Sequence, residues 1–124
     1  MAEEVQTLKP IEWSPSARED LRGFPDEVKY EVGSALLAVQ KGEEHESVKT
    51  LHGFGSAAVR EVKANSKAGT YRVVFTVQFP KAVYVLHSFQ KKSKSGRKTP
   101  KEEMDRVERR LALAEADYAT KYGG

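Results

Sequence analysis

The chain has 124 residues, a net charge of +3 and no cysteine. This length fits one domain, and the absence of cysteine excludes disulfides, zinc–thiolate sites and thiol nucleophiles. The longest apolar runs are only strand-sized, and the acidic start lacks an apolar core, so we expect no membrane partner and no export signal. We therefore predict a cytoplasmic protein with a single domain over residues 1–124, in which residues 1–8 are a flexible lead-in.

The charge is unevenly divided along the chain. Residues 1–62 contain 7 basic and 12 acidic residues, whereas residues 63–124 contain 14 basic and 6 acidic residues. A basic half predicts a surface that binds an anion, and nucleic acid is the first partner to consider. The alternative is two ordinary solvated faces of opposite sign.

The first half of the chain predicts a helical hairpin over residues 16–41. Ser16 and Glu19 have the spacing of a capping box, which marks a helix start, and Pro25 suits the first position of a second helix. That second helix has one apolar stripe, formed by Val28, Val32, Ala35, Leu36 and Val39. Residues 42–56 are polar and contain glycine, so they predict a loop.

Three strands are predicted next, over residues 57–64, 70–79 and 82–89, with residues 10–13 as a candidate fourth. The short connection between the last two favours a hairpin, and the three together predict an antiparallel meander. Apolar and polar side chains alternate along the second strand. If its aromatic side packs on the helical hairpin, Arg72 lies on the opposite, open face of the sheet.

A C-terminal helix completes the predicted fold. Residues 99–102 form a second capping-box pattern with proline at the first helical position. The apolar stripe that follows consists of Met104, Val107, Leu111, Ala114 and Tyr118. The order of elements predicts an α+β fold with an N-terminal helical hairpin, an antiparallel sheet of three to four strands and a C-terminal helix.

Common catalytic patterns are absent from the sequence. It has no glycine-rich phosphate loop, no His-Glu-x-x-His and no Gly-x-Ser-x-Gly. The three histidines, His45, His52 and His87, lack metal-ligand spacing to one another. We therefore expect neither a metal site nor a cofactor.

A set of basic residues carries the remaining chemistry. RNA can be cleaved without metal if a base takes the 2′-hydroxyl proton, cations hold the phosphorane charge and an acid protonates the 5′ oxygen. The candidate catalytic residues are Arg72, Lys63, His87 and Lys91. The candidate RNA- or phosphate-binding residues are Lys92, Lys94, Arg97, Lys98 and Arg60.

The roles follow from the chemistry of each side chain, and each has a structural alternative. The planar guanidinium of Arg72 suits phosphate, but it could instead form a cross-strand ion pair with Glu61. A lysine crowded by cations could have its pKa lowered enough to act as a base, whereas a basic loop could simply be solvated. His87 could be an acid, a base or a hydrogen-bonded structural residue.

The chain resembles the phage-derived HigB/RelE-like toxin family of type II toxin–antitoxin systems over most of residues 9–118. The most specific match is residues 82–94, where an apolar strand leads into His-x-Phe-x-Lys-Lys, with Thr99 and Pro100 after it. The other matching segments are residues 9–13, 20–25, 59–63 and 71–75.

The resemblance implies a RelE-like fold and a metal-independent endoribonuclease that cuts mRNA, usually on the ribosome. It also implies a cognate antitoxin, often one with a helix-turn-helix domain. When the site residues of the family are matched to this sequence one by one, they correspond to Arg72, Lys91 and Lys92. Many relatives have arginine where this chain has Lys63, which keeps the charge but lacks the bidentate fork.

These observations together predict the toxin of a type II toxin–antitoxin system that cleaves mRNA on the ribosome. The alternative is a non-catalytic module on the same fold, a decayed toxin that binds RNA or a partner. A target other than RNA is disfavoured by the cationic face.

Overall fold

The computed structural model describes residues 8–91 and 99–123, which contain five strands and three helices. The predicted lead-in lies outside this range except for Leu8. In chain order the elements are β1 (Ile11–Trp13), α1 (Pro15–Arg22), α2 (Asp26–Gln40), β2 (Val48–Thr50), β3 (Val59–Ser66), β4 (Gly69–Thr76), β5 (Val83–Lys91) and α3 (Lys101–Tyr122). No helix in the described part is long and apolar enough to cross a membrane.

The five strands form one sheet in the order β1-β5-β4-β3-β2. The predicted fold class is confirmed, including the helical hairpin, the β3–β4–β5 meander and the C-terminal helix. The sheet is larger than predicted and not wholly antiparallel, because β1 pairs in parallel with β5. β2 lies inside the predicted loop 42–56; three residues are too few to show an alternating pattern.

The helices start differently from the prediction. α1 begins at Pro15 with Ser14 as its N-cap, α2 begins after Pro25, and α3 begins after Pro100. None of the three caps has a side-chain hydrogen bond, so both predicted capping boxes are wrong. Proline explains the starts instead, since its fixed φ suits helix entry and its missing N–H is not needed there.

Two hydrophobic cores lie on opposite faces of the sheet. On one face Tyr71, Val73 and Phe75 of β4 pack against α1 and α2, as the alternation predicted. On the other face Val74 packs in a cluster with Val107 of α3. The C-terminal helix therefore covers part of the face that was predicted to be open.

Candidate functional site

Three of the predicted catalytic cations come from adjacent strands and lie on one face of the sheet. Lys63 of β3 is the direct cross-strand partner of Arg72 in β4, and Lys91 of β5 is paired with Thr70, two residues before Arg72. Directly paired residues and residues two apart project to the same face. We call Lys63, Arg72 and Lys91 the cationic cluster. Lys63 is exposed, Lys91 is partly exposed, and Arg72 is 3% exposed.

Arg72 is held from below by a buried polar network. Its Nη1 donates to Glu61 Oε1 at 2.5 Å and to Thr99 Oγ1 at 3.3 Å. The Thr99 hydroxyl in turn donates to Glu61 Oε2 at 3.2 Å, which closes a triangle. The cross-strand ion pair that the sequence offered as an alternative for Arg72 is therefore present. The network fixes the guanidinium and offsets part of its charge.

Lys91 has the electrostatic character of a candidate base. Its pKa is lowered by partial burial and then by the positive charges of Arg72 and Lys63, with Glu61 opposing the shift. The direction agrees with the prediction that a lysine crowded by cations titrates below its ordinary range. A larger share of Lys91 is therefore the neutral amine, the form that accepts a proton.

His87 is held by α3 and is buried, with 3% exposure. Its Nδ1 lies 2.7 Å from Arg110 Nη1, and its Nε2 lies 2.7 Å from Glu103 Oε1. A guanidinium can only donate, so Nδ1 accepts and the single proton of the neutral ring resides on Nε2. Its ring stacks on Phe89. These contacts hold His87 between β5 and α3, and a catalytic role for His87 stays a prediction.

This arrangement predicts a pH-dependent stability. Burial lowers the pKa of His87 and the charge of Arg110 lowers it further, while the hydrogen bond to Glu103 opposes them. The unfolded chain therefore binds the His87 proton more readily than the folded protein does. The contribution of His87 to stability is fully present above about pH 6.5 and is lost as the pH falls below that value. Urea unfolding from pH 8 to 5 measures this loss.

The control for that experiment is His87→Gln, whose amide accepts and donates in the same two directions but does not titrate. We expect its stability to depend less on pH, by up to about 1.4 kcal/mol per pH unit where the parent loses its stability. His45 and His52 are present in both proteins and cancel in the comparison. Equal slopes for the two proteins contradict the assignment.

Arg60, a predicted binding residue, does not join the cationic cluster. Arg60 pairs with Phe75, so it lies on the sheet face that packs on the helical hairpin, and it is exposed. The loop residues Lys92, Lys94, Arg97 and Lys98 lie outside the described residues. In the described ranges, no group of three or more histidine, aspartate or glutamate side chains could hold a metal ion.

The contacts that Thr99 and Arg110 make were not predicted from the sequence. Thr99 was predicted as a helix cap, yet its hydroxyl contacts Glu61 and Arg72. Arg110, which holds Nδ1 of His87, was not predicted. Glu61 had a usable signal, since it precedes Lys63 by two residues in a strand and so shares its face.

The chain is similar to known proteins in sequence and in fold. Residues 19–112 match the sequence profile of a family described as phage-derived protein Gp49-like. No curated protein sequence matches the chain.

Similar solved structures include two of a toxin alone and one of a toxin–antitoxin complex. A RelE toxin mutant of E. coli in the free state is 16% identical with a TM-score of 0.53, and the match covers 87% of this chain and 98% of that chain. The isolated E. coli RelE toxin is 19% identical with a TM-score of 0.51, covering 82% and 97%. The RelBE2 toxin–antitoxin complex of Mycobacterium tuberculosis is 17% identical with a TM-score of 0.48, covering 73% and 100%. At such identities the two RelE structures establish a shared fold.

Proposed function

The chain belongs to the phage-derived Gp49-like family, and from that premise we propose that it is the toxin of a type II toxin–antitoxin system and cleaves mRNA. The observation that carries this proposal is the convergence of Lys63, Arg72 and Lys91 on one face of a RelE-like sheet. A phosphate group is the natural ligand of three cations at one spot.

The proposed reaction is an attack of the RNA 2′-hydroxyl on the adjacent phosphorus. The neutral amine of Lys91, favoured by its lowered pKa, takes the 2′-hydroxyl proton. The 2′ oxygen bonds to phosphorus and the bond to the 5′ oxygen breaks. The products are a 2′,3′-cyclic phosphate and a 5′-hydroxyl end, whose proton comes from solvent.

The strand order supports this division of roles. Lys63 and Lys91 stand on β3 and β5, the two neighbours of β4, so their backbones are about 10 Å apart. Long side chains can reach a phosphate above β4 from opposite sides, as an in-line displacement requires. In this proposal Lys63 stabilises the departing 5′ oxygen, and Arg72, fixed by Glu61 and Thr99, supports the phosphorane charge from below.

The proposal includes partners that the family resemblance implies. The substrate is mRNA on the ribosome in the cytoplasm. A cognate antitoxin, of the helix-turn-helix type, neutralises the toxin by binding. The three lysines and one arginine of residues 92–98 add positive charge next to the cationic cluster in sequence, which favours RNA.

The proposal predicts growth arrest when the protein is expressed alone. Inducible expression in a bacterial host should stop growth and create new mRNA 5′ ends within open reading frames. Expression together with the adjacent gene should relieve both effects. Normal growth with intact transcripts, despite soluble folded protein, contradicts the proposal.

One observation favours a second candidate function. Arg72 is buried in an ion pair with Glu61, so part of its charge is already offset. A non-catalytic module that binds RNA or a partner needs only the exposed cations. In a translating extract, salt-sensitive RNA binding without new 5′ ends distinguishes this alternative from a nuclease.

A further inference from the structure

The outer side of α2 carries two large apolar side chains that are exposed. Tyr30 is 78% exposed and Leu37 is 42% exposed. They are seven residues apart, close to two helical turns, so they lie above one another on the same side of the helix. The stripe that α2 buries in the core, which includes Val28, Val32 and Val39, lies on the opposite side. The fold itself therefore leaves this apolar pair in water.

The surface between Tyr30 and Leu37 is made of small residues. Gly33 and Ser34 occupy it, and both are exposed. Glycine inside a helix is destabilising relative to alanine, and a methyl group at Gly33 would meet no atom of the described residues within 4 Å beyond its own turn of helix. Nothing in the described part of the chain therefore requires glycine here. A close approach of another backbone from outside would require it.

The same side of α2 ends in opposite charges. Asp26 is the first residue of the helix, and Lys41 directly follows the last one and is exposed. Asp26 contacts Lys29 of its own helix, yet its carboxylate stays fully exposed. At about 100° per residue, the whole set spans an arc of about 100°. We call it the α2 face, which consists of Asp26, Tyr30, Gly33, Ser34, Leu37 and Lys41.

We propose that the α2 face docks a second copy of this chain, with the two α2 helices antiparallel across a twofold axis. If the axis passes between Gly33 and Ser34, each residue before it lies level with the residue equally far beyond it on the other helix. Tyr30 then lies level with Leu37 of the partner subunit. The small residues at the crossing point let the helix axes approach to about 8 Å, which brings these apolar side chains into contact.

A second copy matches both charged ends of the face at once. In the same arrangement Asp26 lies level with Lys41 of the partner subunit, and the symmetry repeats this pair at the other end. A nucleic acid would be attracted by Lys41 but repelled by Asp26, Glu27 and the three glutamates of residues 43–46. The face is therefore complementary to itself and not to RNA.

The proposed dimer leaves the cationic cluster uncovered. α2 packs on the sheet face that carries Tyr71 and Val73, whereas Arg72, between them in β4, projects to the other face. Two copies joined through α2 would therefore hold their cationic clusters on opposite outer sides. The inference stands on the α2 face alone and does not rest on the proposed function.

The test is sedimentation equilibrium of the full chain from about 5 to about 500 µM. A single pair of helices buries less than a standard interface of about 1,600 Å², so we expect a dimer with a Kd of about 10–100 µM. The average mass should rise with concentration from that of one chain towards that of two, with no larger species. A monomer mass at every concentration overturns the proposal.

Leu37→Asp should weaken the dimer at least about 10-fold, because it removes a central apolar contact. The side chain is partly in water already, so the helix should persist, which circular dichroism at low concentration verifies. The matched control is Leu113→Asp, which changes an apolar residue of α3 that is 69% exposed and should dimerise like the parent. A dimer that Leu37→Asp leaves intact lies elsewhere on the molecule and overturns the α2 face.

A charge exchange tests the antiparallel orientation. Asp26→Lys puts lysine level with Lys41 at both ends and should weaken the dimer at least about 3-fold. Asp26→Lys/Lys41→Asp restores both pairs with their signs reversed and should recover the affinity of the parent. In a parallel pair like residues would lie level, so Asp26→Lys would change little, and that result overturns the proposed arrangement.

Two further measurements separate this inference from the others. If the parent stays monomeric and Leu37→Asp loses binding to the antitoxin, the α2 face docks a different protein and the proposal is overturned. Cleavage of mRNA by Leu37→Asp should equal that of the parent, because the cationic cluster lies on the other side of the sheet. A parallel loss of dimer and cleavage would contradict the independence of the two surfaces.

Discussion

Arg72→Ala should lower the free energy of unfolding by about 3–5 kcal/mol. The substitution leaves the Glu61 carboxylate, in a residue 8% exposed, without its cationic partner. Only the Thr99 hydroxyl would still donate to it among the contacts described. A typical domain has only about 5–15 kcal/mol of stability, so urea unfolding monitored by circular dichroism should show a large shift.

A double variant shows whether the uncompensated charge is the cause. Glu61→Leu/Arg72→Met removes both charges at once and should be markedly more stable than Arg72→Ala, because apolar replacement of a whole buried pair is often neutral. Arg22→Ala breaks an exposed pair with Glu19 and should change stability by less than about 0.5 kcal/mol. If the double variant is as unstable as Arg72→Ala, the loss of stability comes from lost packing and not from the uncompensated charge of Glu61.

Lys63→Ala/Lys91→Ala should reduce mRNA cleavage at least about 100-fold, the cost of removing groups that stabilise transition-state charge. Both side chains reach solvent at the surface of the cationic cluster, so the fold should tolerate the change. Counting new 5′ ends against time in a translating extract gives the rate. Growth arrest on expression should disappear in parallel.

Charge-matched variants separate chemistry from general attraction to RNA. Lys29→Ala/Lys81→Ala removes two positive charges outside the cationic cluster and should cleave nearly as fast as the parent. Lys63→Arg keeps the charge and adds a bidentate fork, so it should retain cleavage. Equal losses in the two double alanine variants would mean that net charge alone drives the activity, and the proposed site would be wrong.

Much of the fold was predictable because local patterns and packing agree. The alternation along β4 placed Tyr71, Val73 and Phe75 against the helical hairpin, and the structure confirms it. β2 and the parallel pairing of β1 with β5 were not predictable. They depend on contacts between residues far apart in sequence, for which three-residue strands carry no signal of their own.

The candidate site was predictable in its residue types but not in its contacts. The alternation along the second predicted strand placed Arg72 on the face opposite the aromatic side chains. Lys63 was singled out by its charge and by the family resemblance. Their register, with Lys63 opposite Arg72, is set by the turn between β3 and β4. The role of Thr99 was hidden because its local pattern imitates a helix cap, while its partner Glu61 is 38 residues away.

The pairing of β1 with β5 also has a kinetic consequence. The pairing of the two strands places Ile11 opposite Val83. Glu12 in β1 also accepts hydrogen bonds from Lys121 and Tyr122 near the end of α3. Contacts of such long sequence separation form late, since chain closure has to precede them. In a nascent chain the edge of the sheet beside β5 therefore stays unpaired with β1 until residues 83–85 have been synthesised and released from the ribosome.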